Sequence, residues 1–174
     1  ITVHVIDRGP IGREASWAGA GILPPTNLDT AIDPLDRLRA HSHILHDEWA
    51  KRLLDETGID TGYRQCGGII LARSIGEAAS LHASAAMLGE LEIKICRLSA
   101  ADVTELEPAL SEVAASQLKA AYVLPGEAQL RNPDHLRALA VACERRGVQI
   151  TANCQAIDFE IANDRIVGLR TGSE

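Results

Sequence analysis

Residues 1–23, ITVHVID followed by RGPIGREASWAGAGIL, constrain the fold of this chain more than any other stretch. A short run of Val and Ile ends on an acid, Asp7, and Gly9 and Pro10 then stop it. That is the pattern of a buried parallel strand. The loop behind it is dense in Gly, Ala and Ser, residues small enough for backbone to approach a ligand closely, and it reads as a loop turning into a short helix. An acid at the end of such a strand accepts the two hydroxyls of a ribose in nucleotide-binding α/β units. The same Asp also serves as an ordinary turn residue. Small residues suit amides cradling a phosphate, with the Ser16 hydroxyl as an extra donor, and they equally suit a tight helix–strand contact.

The last third carries a second strong pattern. In NPDHLRALAVACERRGVQI, Asn132 is the expected cap, Pro133 the first helical residue and Gly147 the stop. Leu136, Leu139, Ala140 and Cys143 form the expected apolar stripe. VQITANC then reads as a strand, and AIDFEIANDRIVGLRT as a hairpin turning at Asn163–Asp164. Between these flanks lies a mixed region. Asp33 and Pro34 open a long helix with Leu35, Leu38, Leu45, Trp49 and Leu53 at helical spacing, closed by Gly58. YRQCGGIILA is a strand bent at Gly67–Gly68. Residues 75–90 are a helix with Leu81, Ala85 and Leu88 on one face. IKICRL and AAYVL are strands, and Ser99 with Asp102 forms a capping box. The flanks read as one α/β domain and the middle as an insertion.

Composition excludes several functions. A net charge of -7 argues against nucleic acid, and 3% aromatic residues leave little for base stacking. No apolar run approaches the roughly 20 residues that span a bilayer. Cys66, Cys96, Cys143 and Cys154 show no C-x-x-C or zinc spacing, so buried, reduced thiols in a cytoplasmic setting are expected.

VIDRGPIGREASWAGAGIL resembles the second strand and following loop of the FAD-dependent amino-acid oxidases of the D-amino acid oxidase family. The similarity is greatest to the glycine oxidase type used in thiamine biosynthesis. LEPAL, LPGEAQLRNPDHLRALAVACERRGVQI and DRIVGLRTGSE resemble that family too, in the family's order. The fold implied is α/β (α+β mixed): a partial FAD-binding Rossmann-like domain, residues 1–30 and 133–174, with an inserted α+β substrate-domain segment, residues 31–132. FAD is the cofactor implied. Asp7 would hold the adenosine ribose with Arg8 beside it, although the family often has Glu at the first position. Ala15 and Ser16 would lie along the pyrophosphate. Ala20, Gly21 and Ile22 would approach the ribityl chain and flavin, and Ala156 would touch the adenine through its backbone. The family commonly has Asp where Asn132 stands.

The resemblance places the family's G-x-G-x-x-G loop ahead of Ile1, and the Tyr and Arg that grip the substrate carboxylate beyond Glu174. The chain is therefore expected to be a fragment of a larger flavoenzyme. By itself it is expected to be inactive, to bind FAD weakly or not at all, and to self-associate through exposed strand edges. The activity implied for the parent is oxidation of glycine or another small amino acid or amine to an imine, with dioxygen giving hydrogen peroxide. A dehydrogenase of the same superfamily and a non-catalytic binding or assembly module are the alternatives. No catalytic residue and no metal site is assigned within the chain. His41, His43 and His46 in HSHILH are read as the solvated side of the long helix. Arg64 and Cys66 fall on a strand that the family uses near its substrate pocket, with structural burial the expected role of the thiol. Glu105 and Glu107, two apart, diverge on a helix.

Overall fold

The computed structural model describes residues 2–173 and divides into two compact units: Ile1–Gly21, Trp49–Gly62 and Arg131–Glu174 in the first, Ile22–Glu48 and Tyr63–Leu130 in the second. The expected domain boundaries differ from these units at 22–30, which lie with the second, and at 49–62 and 131–132, which lie with the first. The architecture is mixed α/β. No described helix is long and apolar enough to cross a membrane.

In the first unit, β1 (His4–Ile6) runs parallel to β7 (Gln149–Thr151), with Val5 opposite Ile150. The parallel pairing agrees with the sequence; burial does not. Val3 and Val5 are exposed, because β7 is the only partner of β1 among the described residues. Helix α6 (Asn132–Arg145) leads into β7. Its most buried face is one step from the expected stripe: Ala138 and Ala142 pack against Leu53, with Leu139 and Ile59 around them. Two small residues let a neighbouring helix approach closely, so they take the centre and the larger Leu136 and Leu139 lie half-buried beside it. Gly147 stops the helix at φ +78°, where the Val148 amide donates to the Cys143 carbonyl at 3.0 Å. Strands β8 (Cys154–Ala162) and β9 (Arg165–Ser173) form the expected hairpin. Asn163 and Asp164 turn it, both at positive φ (50° and 57°), as a tight two-residue hairpin turn of that hand requires. The strand expected over VQITANC stops at Thr151, where Asn153 turns the backbone at φ +53°.

Helix α2 (Pro34–Thr57) begins in the second unit and ends in the first. It is capped as expected: the Asp33 carboxylate accepts from the amides of Leu35 (2.6 Å) and Asp36 (3.1 Å). Of its expected core face only Leu53 is buried; Leu35 and Leu38 are 52% and 62% exposed.

The second unit is built on an antiparallel sheet of order β3-β5-β4, made of Gly68–Ala72, Ala120–Leu124 and Cys96–Arg97. Helix α3 (Ile75–Glu90) covers one part, where Leu81 packs on Ala72 and Ala120. Helix α4 (Ala100–Leu106), a 3-10 turn (Pro108–Leu110) and α5 (Ser111–Ser116) enclose a second core of Val103, Ala114 and Ala121. The strand expected over IKICRL shrinks to Cys96–Arg97, which pair with Val123 and Tyr122 of β5, and the Leu98 amide adds one more bond to the Ala121 carbonyl at 2.9 Å. Short strands β2 (Ile22–Leu23) and β6 (Ala128–Gln129) pair antiparallel. The cysteines are all free, as expected, but Cys66, in the loop ahead of β3, is exposed and the other three are only half-buried.

Candidate functional site

The first unit assembles its site around the carboxyl end of β1. The Asp7 amide donates to the Thr151 carbonyl at 3.1 Å, continuing the β1–β7 ladder by one residue. The Asp7 carbonyl accepts from Cys154 at 2.7 Å, and the Gly9 carbonyl accepts from Asn153 at 3.1 Å. The ends of β1 and β7 and the start of β8 are thus locked together.

The Asp7 side chain turns back on its own loop. One carboxylate oxygen accepts from the Gly9 amide at 3.0 Å and the other from Gly12 at 3.4 Å. Each oxygen keeps a second acceptor direction, since an ionised carboxylate has about four lone-pair sites. Gly12 sits at φ +65°, and a Cβ there would stand 3.5 Å from Leu136 of α6. The loop is therefore laid directly on the first turns of α6.

Arg8 is otherwise engaged. Its guanidinium makes a bidentate pair with Glu14 (2.8 and 3.0 Å), and both side chains are exposed. The hydrogen bond and charge of Glu14 raise the Arg8 pKa still further above its ordinary value. Beyond it, Ala15–Ala18 forms the single turn α1, in which Ala15 and Ser16 are exposed. Arg13 stacks on the Trp17 ring, 3.6 Å from its centre.

Asn132 does not cap α6 as the sequence suggested. It is the first helical residue, Arg131 stands at the cap, and no side chain caps the helix. The Asn132 amide group instead donates to the Ser16 carbonyl at 2.8 Å, across 116 residues of sequence. That cross-link fixes the end of the small-residue loop and explains Gly19: a Cβ there would lie 2.3 Å from the Asn132 side-chain nitrogen. Ala20 is exposed and Gly21 turns at φ +75°. Ile22, next in the chain, belongs to the second unit, where it pairs with Gln129 on β6. Ala156 lies inside β8 opposite Thr171, beside a register shift before Asp158.

Among the expected site residues, the structure gathers Asp7, Arg8, Ala15 and Ser16 on one loop against α6, and ties the start of the Ala156 strand to Asp7. The partners Glu14, Gly9, Gly12 and Asn132 were not read from sequence. Asp7 followed at two residues by a glycine carried a signal for the turn; the long-range Asn132 bond carried none. Among the described residues no group of three or more His, Cys, Asp or Glu side chains is gathered for a metal.

A family profile described as DAO: FAD dependent oxidoreductase matches residues 1–174. The chain belongs to this family of FAD-dependent oxidoreductases. Among the DAO-family relatives, the glycine oxidase of Geobacillus kaustophilus is 31% identical over 157 residues, covering 90% of this chain and 41% of that protein. The mitochondrial pyruvate dehydrogenase phosphatase regulatory subunit of Mus musculus is 32% identical over 169 residues, covering 97% of this chain and 18% of that one. The glycine oxidase structure from Bacillus cereus superposes with a TM-score of 0.86 at 26% identity, over 98% of this chain and 44% of that one. The chain thus spans less than half the length of these DAO-family proteins.

Proposed function

We propose that this chain supplies the FAD-holding loop of an oxidoreductase acting on glycine or another small amino acid or amine. The observation that carries the reading is the Asp7 carboxylate. It stands at the carboxyl end of a parallel strand, oriented by two backbone amides, with acceptor capacity to spare for the adenosine ribose. Ala15 and Ser16 offer small, exposed backbone along the pyrophosphate. Ala20 and Gly21, with Ile22 after them, approach the ribityl chain and flavin, and the backbone of Ala156 meets the adenine. Arg8, held by Glu14, keeps a positive charge beside the ribose.

When bound, FAD supplies the redox chemistry: hydride acceptance from the carbon bearing the amine, and two-electron reduction of dioxygen to hydrogen peroxide. The substrate amine loses a proton as its carbon loses the hydride, and water hydrolyses the imine to an oxo acid and ammonia. No residue of this chain is assigned a proton-transfer role in that sequence; its residues would bind and orient. A cytoplasmic setting is supported by the four free thiols. Association between copies is supported by exposed apolar strand faces.

The test is a titration of the chain with FAD, followed by flavin fluorescence, beside the Asp7→Asn variant. Weak but saturable binding, about tenfold weaker again in Asp7→Asn, is the expected result, because a charge-assisted hydrogen bond is worth about 1.5–3 kcal/mol. Equal affinity for both proteins overturns the role of Asp7.

The similarity to the mouse regulatory subunit favours a second reading, a non-catalytic binding or assembly module. Peroxide release from glycine by a longer, flavin-loaded form supports the oxidase. Flavin reduction without peroxide would mark a dehydrogenase, and neither would mark the module.

A further inference from the structure

The second unit holds a pocket of about 320 Å³ that has no part in the flavin reading. Its floor is apolar, made by Leu23 at the end of β2, Pro24 after it and Leu38 of α2. Its ionisable groups all come from α2: Arg39, His43 and His46, at helical spacings of four and three, with the hydroxyls of Ser42 and of Thr26, from the facing segment, beside them. No carboxylate lines it, and the facing segment Leu23–Thr26 carries no ionisable side chain.

The sequence had placed these imidazoles on a solvated helix face. His41 is exposed, but His43 and His46 are half-buried. Nδ1 of His43 is buried with no hydrogen-bond partner. A buried N–H without an acceptor is rarer in proteins than a bare acceptor lone pair, so the ring proton belongs on Nε2, leaving that nitrogen as a donor. Burial and the neighbouring His43 lower the pKa of His46. Arg39 bonds Asp36 through Nη1 at 3.0 Å and retains other guanidinium donors. An apolar floor beside a few polar groups, one of them the Arg39 cation, is the constitution of a small-ligand site.

We propose that this pocket binds a short-chain aliphatic monocarboxylate. Its hydrocarbon tail covers Leu23, Pro24 and Leu38, and its carboxylate meets Arg39 and the imidazoles. The proposal does not rest on flavin binding.

Butyrate is the probe. It is titrated into the full chain while the histidine ring signals are followed by NMR. Saturable shifts at His43 and His46 without a shift at His41 are expected. Arg39→Gln, an exposed position that leaves the fold intact, is expected to weaken binding about tenfold, whereas His41→Ala leaves it unchanged. Absence of saturable shifts overturns the proposal. So does equal binding of n-butanol, which shows that the pocket reads only the tail, and so does unchanged affinity in Arg39→Gln.

Discussion

Gly19 and Asn132 show how single residues set the geometry of the small-residue loop. Gly19 has φ −61°, within reach of any residue, so its role is space and not backbone freedom. A methyl group at this position displaces the Asn132 side chain and breaks its bond to the Ser16 carbonyl. Gly19→Ala and Asn132→Ala should each lower stability by about 1 kcal/mol, the worth of one hydrogen bond. The double variant should lose little more than either single one, because both remove the same bond. Urea midpoints of the three variants check this, and additive losses would refute it.

His46 gives a residue-scale pH dependence. Its pKa in the folded chain lies below its ordinary value, chiefly because burial penalises the cation and secondly because His43 adds repulsion. The unfolded chain therefore binds the proton more readily. The stability contributed by the neutral ring is complete above the unfolded pKa and is lost as pH falls through the folded value. Denaturation midpoints should fall as the pH drops below the ordinary imidazole value of about 6.5, and His46→Gln should flatten that slope. A variant as steep as the parent would assign the slope to other groups.

At the level of elements, legibility followed how local the signal was. The starts of α2 and α4 were readable because Asp33 and Ser99 cap through residues two or three positions away. Ser99 and Asp102 form a complete box, and the Ser99 amide lowers the pKa of Asp102, so this cap weakens as pH falls through the depressed value. Hairpin β8–β9 was readable from Asn163–Asp164. What failed needed distant partners: the true face of α6 depends on Leu53 of α2, and the role of Asn132 depends on Ser16. Likewise Arg146, just past the end of α6, pairs with Glu56 of α2, which Arg52 also holds at 2.9 Å. The candidate site was legible for Asp7, whose strand and turn are contiguous, and silent for the partners around it. The hairpin turn offers a test at this scale. Asp164 at φ +57° occupies the position that tight turns of this hand reserve for glycine. Asp164→Gly should raise the urea midpoint and Asp164→Val should lower it, with a stability loss of about 1–2 kcal/mol, since a β-branched residue is strained at that angle. A Val variant as stable as the Gly variant would contradict the turn assignment.

At the scale of the whole molecule, much apolar surface faces solvent. On the hairpin, Phe159 pairs with Leu169 and Ile161 with Ile166 across the ladder. Phe159, Ile161 and Ile166 are 58%, 67% and 64% exposed, and Ile157 on the same strand face extends the stripe. The other face carries Asp158 and Glu160, with Asp158 paired to Arg170 at 2.6 Å. A two-stranded ribbon with one apolar face is at best marginal in water without a covering layer. The net charge of -7 opposes association at long range, but salt screens it beyond about 8–10 Å. The chain should therefore self-associate increasingly with concentration, and more strongly in added salt than at low ionic strength. Phe159→Ser combined with Ile161→Thr should return it toward the monomer without changing the β1–β7 pairing. Sedimentation velocity over a concentration series decides the matter. A monomer at every concentration and salt level, or association untouched by the paired substitution, would show that this face does not drive contact between copies.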